Sequence, residues 1–413
     1  MIRVVQSTNR RAVSELLSAT RIRDRVTESR ANEIVQRVRR TGDAALKRYA
    51  RTLDDYEGPL EIARTRWERE AAGLPGDVRR AIARAARNIR SVARRQVPKP
   101  WRHGVAPGIV VEQRVVPLGR VGCYVPAGRY PLPSSLLMTA IPARVAGVGE
   151  VVVCCPRPDA TVFAAALEAG VDRLFQIGGA HAIAALAHGT RTVPRVDKIV
   201  GPGNRWVSAA KSLVSSDCGI DFYAGPTEIL IVTATGPARW IAADLIAQAE
   251  HDPDARAVLI TTSTKLAKQV AAEIGRQMPA AGPVRQSLSK HGGIIVCRST
   301  SEAIDLTNRA AAEHVVAGTE SIAAQVVNAG AVFVGAWTAQ VAGDYAIGSN
   351  HVLPTAGAAR FRGGLNAADF VKLISIQRLS RRGLKSIGNT ITTLARAEGL
   401  DAHARSIELR TDD

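Results

Sequence analysis

Residues 150–203 decide the fold: EVVVCC (150–155), TVFAAALEAG (161–170), RLFQIGG (173–179), AHAIAALAHG (180–189) and DKIVGPG (197–203). The first, third and fifth are short β-branched or apolar runs, and the second and fourth are helix-length segments, each closed by a glycine. Parallel strands cannot be joined by a tight turn, so strand runs that alternate with helices imply crossover connections and a doubly wound parallel sheet. Working outward, a second series of the same kind begins at EILIVTA (228–234). It continues through the helix ARWIAADLIAQAEH (238–251) and the strands AVLITTS (257–263), GIIVCRS (293–299) and AVFVGAW (331–337), with helical segments between them.

The first hundred residues read as helices, because ANEIVQRVRRTGDAALKRYA (31–50) and DVRRAIARAARNIRSVA (77–93) place apolar residues three and four apart. Pro98, Pro100 and Pro107 then break the pattern, and the short runs GIVVEQRVV (108–116) and VGCYV (121–125) follow. After Gly364 the strand rhythm is lost and the tail reads as helices. The expected fold class is α/β, with two Rossmann-like doubly wound domains, a helical N-terminal segment and a small helical C-terminal appendage. The expected division is 1–21, a helical segment; 22–122 with 228–365, a first Rossmann-like domain; 123–227, a second, dinucleotide-binding one; and 366–413, the appendage. At 413 residues the chain is long enough for two cores.

Net charge is +18, and residues 1–100 hold 24 Lys and Arg against 12 Asp and Glu. Those arginines recur along helical patterns with almost no aromatic residues between them to stack on bases, so a solvated helix face explains them and no nucleic-acid partner is expected. A basic surface of this kind also attracts anionic nucleotides. No apolar run approaches a membrane span and the amino terminus lacks the apolar core of a secretory signal, so no membrane partner and a cytoplasmic location are expected. The five cysteines, Cys123, Cys154, Cys155, Cys218 and Cys297, show no CxxC spacing. They read as reduced, buried thiols.

Several segments could carry chemistry. GGAH (178–181) and GPGN (201–204) each stand between a strand and a helix, where exposed backbone N–H groups either hold a pyrophosphate or simply make a tight turn; neither completes GxGxxG. Asp244, Gln248 and His251 share one helix face, presenting oxygen and nitrogen either to a divalent metal or to solvent. Glu313 and His314 are adjacent at the end of an apolar-periodic segment. Such a pair can divide proton transfers between two steps, or can merely end a helix at the surface. GDYAIGSNHVLPT (343–355) brings Asp344 and His351 into a loop too polar for core, and EGLDAHA (398–404) places Glu398 and His403 near the carboxyl end.

Together these stretches resemble the histidinol dehydrogenase family. The resemblance rests on GDAALKRYA, VGCYVPAGRYPLPSSLLMTAIPARVAGV, QIGGAHAIAALA, VDKIVGPGN, AGPTEI, AQAEHD, AAEHV, GDYAIGSNHVLPT and EGLDAHA, in family order from about residue 42 to 403. It implies two-step oxidation of L-histidinol to L-histidine with NAD and one Zn²⁺ per subunit. It implies zinc ligands at Gln248, His251, Asp344 and His403, a water-activating carboxylate at Glu313 and a general base at His314. Substrate contacts fall on these six residues and on Thr227, His351 and Glu398, and dinucleotide contacts on Tyr124, His181 and Asn204. It also implies a homodimer in which the C-terminal appendages are exchanged. The chain departs from the family's usual pattern at Thr227 (commonly Ser), His181 (commonly Gln) and Ala127 (often Gly). A relative acting on another small polar alcohol, such as a sulfonated propanediol, is the alternative within the class, and Glu398 favours the amino alcohol. A basic nucleic-acid-binding protein would instead bind DNA in a salt-dependent way without reducing NAD, and a non-catalytic metalloprotein does not account for Glu313 beside His314.

Overall fold

A strand buried at every position must be covered on both faces, and such strands form the centre of this chain. The computed structural model describes residues 2–18, 24–126, 131–223 and 225–411, so Ala127 lies outside the described residues. Glu228–Val232, Arg256–Thr261, Gly293–Val296 and His314–Ala317 are buried throughout. They belong to a six-stranded parallel sheet ordered Arg3–Gln6, Gly293–Val296, Arg256–Thr261, Glu228–Val232, His314–Ala317, Ala331–Val334. A second, five-stranded parallel sheet is ordered Arg173–Phe175, Glu150–Cys154, Arg120–Tyr124, Lys198–Val200, Gly219–Ile220. In chain order the five-stranded sheet runs 3-2-1-4-5, and the six-stranded sheet repeats that order when counted from Glu228–Val232, with Arg3–Gln6 added at its edge, the strand order of doubly wound nucleotide-binding folds. The α/β reading and both strand series hold.

Alternation along the strands divides the core of the six-stranded sheet. Ile229, Ile231, Leu259 and Ile294 face Leu245, Leu266 and Val270 on one side. Leu230, Val258, Ile295 and Val315 face Val13, Leu16, Ile304 and Leu306 on the other. All five cysteines are free and buried, as expected.

Three expectations need correction. The amino terminus is not wholly helical: Arg3–Gln6 pairs in parallel with Gly293–Val296, and the helix Arg10–Leu17 follows. A four-residue edge strand is too short to declare a period, and its partner lies far along the chain. Second, the helices within 25–96 pack against helices of the five-stranded sheet, inside a unit that also holds 228–365. Helices Arg25–Thr41 and Asp43–Leu53 bury Val35, Val38 and Leu46 in one cluster with Ile183, Leu186 and Val207 of the five-stranded sheet's own helices. Helices Arg64–Ala72 and Gly76–Gln96 pack on Ala160–Ala169, and Gly76–Gln96 also on Pro133–Val145. An apolar stripe says that a helix is covered, not by what.

Third, the tail is not purely helical. Residues 97–118 and 371–413 form a compact unit of their own, apart from the unit 1–96 with 119–370. In it Val371–Leu379 pairs antiparallel with Ile109–Pro117 along nine residues, and Trp101–Ala106 flanks the other side. Helices Arg381–Ala397 and Asp401–Thr411 follow and pack on each other. VKLISIQRL alternates apolar and polar residues over part of its length, a period-two signal that the helix-rich residues around it obscure.

Candidate active site

The candidate site begins where two neighbouring strands of the six-stranded sheet start. Glu228–Val232 and His314–Ala317 run in parallel with His314 opposite Ile229, so Thr227 and Glu313, each one residue before its strand, come together at the sheet's amino edge. Thr227 Oγ1 donates to Glu313 Oε2 at 2.5 Å, and the Glu228 amide donates to the same oxygen at 2.9 Å. Gln248, in the last turn of the helix Ala238–Ala249, donates from Nε2 to Thr227 Oγ1 at 2.5 Å. The order of donors fixes the amide's orientation. Because Oε2 already accepts from the Glu228 amide, the threonine hydroxyl gives its one proton to Glu313 and must receive from nitrogen. Gln248 Oε1 is thereby left buried without a protein partner.

His314 is oriented by the backbone of the same residue, Glu228. Its Nδ1–H donates to the Glu228 carbonyl at 3.1 Å, which leaves Nε2 with a lone pair, buried and unpartnered, 4.0 Å from Asp344 Oδ1. Burial pushes this imidazole down to about 4, so it is neutral at pH 7. Its contact with Glu313, 3.6 Å from Nδ1 to Oε2, is therefore not an ion pair. Burial moves the Glu313 carboxyl the other way, up to about 8, against the bonds from Thr227 and Glu228.

Asp344 sits on the short helix Val341–Tyr345, where Gln340 Nε2 holds its Oδ2 at 2.8 Å and burial raises its carboxyl. Its own carbonyl accepts from His351 Nδ1 at 3.1 Å. The other His351 nitrogen receives the Ser135 hydroxyl at 3.3 Å, and Ser135 lies on the helix Pro133–Val145, which follows the first strand of the five-stranded sheet. Burial pushes His351 down to about 4 as well. His251, just past the end of its helix, is exposed and close enough to weigh on the charge of His314, Asp344 and His351. Thr227, Gln248, His251, Glu313, His314, Asp344 and His351 thus share one site. Glu398 and His403 lie on the second unit, the first at the end of Arg381–Ala397 and the second on Asp401–Thr411, both exposed.

Among the described residues no group of three or more His, Cys, Asp or Glu is gathered tightly enough to hold a metal by itself. The donor types still suit one: Gln248 Oε1 is a buried oxygen with no partner, Asp344 and the nearby His251 add a carboxylate and an imidazole, and oxygen–nitrogen sets of this kind take zinc. Gln340, Ser135 and Glu228 were not singled out from the sequence. Gln340 was legible, standing four residues before Asp344 on the same helical face. Glu228, whose side chain pairs with buried Arg256 while its peptide serves both Glu313 and His314, carries no sequence signal beyond adjacency to Thr227.

The carboxyl edge of the five-stranded sheet holds the dinucleotide candidates. Tyr124 ends its first strand, and its hydroxyl accepts the Gly179 amide at 3.1 Å. Asn204 caps the helix Arg205–Leu213, accepting from Trp206 and Val207 at 3.0 and 3.2 Å. These two flank the point where strand order reverses, the place where such folds bind nucleotides. His181 differs from these two: its side chain is fully buried, bonded through Nε2 to Asp54 at 2.8 Å and packed near the Tyr49 ring, with Nδ1 buried and without a protein partner.

The burial of Glu313 has a measurable sign. Between pH 4.5 and about 8 the folded state holds a proton that the unfolded state has released, so this group's contribution to stability falls as pH rises across that window. In metal-free protein the thermal midpoint of Glu313→Gln minus that of wild type should therefore rise from pH 5 to pH 8. A flat difference would mean that Glu313 titrates as an exposed carboxylate does.

A family model described as histidinol dehydrogenase matches residues 18–411. A histidinol dehydrogenase of Methylococcus capsulatus is 45% identical, over 96% of this chain and 95% of the relative. One of Pseudomonas syringae is 44% identical, over 98% and 93%. A crystal structure of histidinol dehydrogenase from Elizabethkingia anophelis superposes with a TM-score of 0.94 at 29% identity, covering 100% of this chain and 98% of that one. The chain belongs to the histidinol dehydrogenase family.

Proposed function

We propose that this chain oxidises L-histidinol through L-histidinal to L-histidine, the closing steps of histidine biosynthesis, using NAD and one Zn²⁺ per subunit. Family membership makes it an oxidoreductase acting on a CH–OH group. The observation that carries the finer reading is the pair of buried, unpartnered atoms, Gln248 Oε1 and His314 Nε2, brought to one site with Asp344. A fold tolerates an unsatisfied buried polar atom at high cost unless a ligand completes it.

Gln248, His251 and Asp344 hold the metal, with His403 of the partner subunit as the fourth ligand. Zinc, when bound, anchors the substrate through its nitrogens, and NAD, when bound, accepts hydride in each oxidation. His314 Nε2 takes the hydroxyl proton in the first oxidation, its Nδ1–H fixed on the Glu228 carbonyl. In the second, Glu313 takes a proton from the water that adds to the aldehyde; a carboxyl raised toward neutrality is a stronger base than an exposed one. His351, Thr227 and Glu398 contact substrate. Tyr124 and Asn204 receive the dinucleotide at the switch point of the five-stranded sheet. A homodimer is supported by the second unit, which leaves Leu373, Ile374, Leu379, Leu394, Leu400 and Leu409 exposed, an apolar surface that calls for a partner. Five free cysteines suit a reducing cytoplasm, and among the described residues no helix is long and apolar enough to cross a membrane.

The direct assay is NADH formation from L-histidinol, with two NADH per substrate oxidised, lost on chelation and restored by Zn²⁺. Glu313→Gln should slow aldehyde oxidation more than alcohol oxidation. Turnover of other small alcohols in preference to L-histidinol would overturn the substrate, and full activity in metal-free protein would overturn the zinc site.

The exchanged dimer is tested by mixing two inactive variants, His403→Ala and His314→Asn, under conditions where subunits exchange. One site of each mixed dimer is then intact, so up to half a dimer's activity should return. No recovery despite proven exchange would place His403 in its own chain's site.

A further inference from the structure

Lys211 and Asp221 form an ion pair in the fold's interior, with 2% and 0% of their side chains exposed, that none of the chemistry above uses. A buried pair of charges is an inefficient way to fill a core, since well-packed apolar residues of similar size serve stability as well or better. What these two groups hold explains their presence. The Asp221 carboxylate accepts the Gly201 amide at 2.7 Å and the Phe222 amide at 2.6 Å, while Lys211 Nζ donates to the Gly201 carbonyl at 3.0 Å and to Asp221. Both polar groups of Gly201 are therefore fixed, and that residue cannot rotate without breaking bonds to a buried charge.

Gly201 opens the turn Gly201–Pro202–Gly203–Asn204. Its φ of +117° is open only to glycine, and a side chain there would run into the Tyr124 carbonyl. The clamp thus seats the turn directly against Tyr124, whose hydroxyl in turn holds the Gly179 amide of the other glycine turn. Lys211 projects from the same helix that Asn204 caps, so the cap and the clamp grip the turn from its two ends. The far side of Asp221 is tied as well: Arg362 donates to its carbonyl and lies over the Phe222 ring, 4.6 Å from the centroid.

We infer that Lys211 and Asp221 are positioning residues for dinucleotide binding, presetting the Gly201–Asn204 turn and its seat on Tyr124 before NAD arrives. The inference rests on the reading that Tyr124 and Asn204 receive the dinucleotide. A turn ordered in advance spares the ligand the cost of ordering it, so the clamp acts on NAD affinity and not on the proton transfers.

The test removes both charges together, because removing one strands the other. In Lys211→Met/Asp221→Asn the fold should persist, with zinc content and the KM for L-histidinol near wild type, while the Kd for NAD rises about tenfold or more. Amides of residues 203–207 should exchange faster in the NAD-free variant. A folded double variant whose NAD affinity stays within about twofold of wild type overturns the inference. If the variant does not fold, hydrogen exchange on the wild-type enzyme decides. The Gly201 amide must be strongly protected without NAD and gain little when NAD is added, and fast exchange, or protection acquired only with NAD, overturns the clamp. Asn204→Ala and Tyr124→Phe variants that bind NAD as tightly as wild type would sink the underlying dinucleotide assignment and leave the clamp's own hydrogen-exchange signature untouched.

Discussion

The site depends on a relay of two hydrogen bonds, from Gln248 Nε2 to Thr227 Oγ1 and from Thr227 Oγ1 to Glu313 Oε2, both at 2.5 Å. A hydroxyl has one proton, so a threonine between an amide and a carboxylate imposes a direction on both neighbours. Glu313 Oε2 is fixed as an acceptor, and the Gln248 oxygen is left buried without a protein partner. One side chain thereby aligns both Glu313 and Gln248. The hydroxyl is what this position requires, which is why threonine can stand where the family commonly has serine.

The placement of this relay departs from the habit of doubly wound folds, in which ligands gather at the carboxyl ends of the strands. The five-stranded sheet follows that habit with Tyr124 and the Gly201–Asn204 turn. The six-stranded sheet does the reverse and presents Thr227, Glu313 and His314 at its amino edge. Ser135 on His351 and Asn350 on the Met138 carbonyl tie the helix leaving the first sheet to the catalytic loop of the second.

The sequence disclosed what repeats locally. Both strand series, the glycine-closed helices and the adjacency of Glu313 and His314 were legible because periodicity and turn chemistry are short-range. The resemblance then selected Gln248 and His251 from a helix face whose spacing alone also fitted a solvated stripe, and Asp344 and His351 from a polar loop. What stayed hidden was long-range. The stripe of Arg25–Thr41 does not name the sheet it covers, the pairing of Arg3–Gln6 with Gly293–Val296 spans most of the chain, and Val371–Leu379 finds its partner strand more than 250 residues earlier. The bond from His181 to Asp54, far off in sequence, was hidden for the same reason.

The account turns on Thr227 as the element that orients Gln248. Zinc affinity, measured by competition with a chelator of known strength, tests this without reference to turnover. Thr227→Ser keeps the hydroxyl and should leave the affinity close to wild type, whereas Thr227→Val keeps the shape, frees the Gln248 amide to rotate and should weaken zinc by about 10–100-fold. Equal affinity in the serine and valine variants would contradict the account, because Gln248 would then be oriented by something other than the relay.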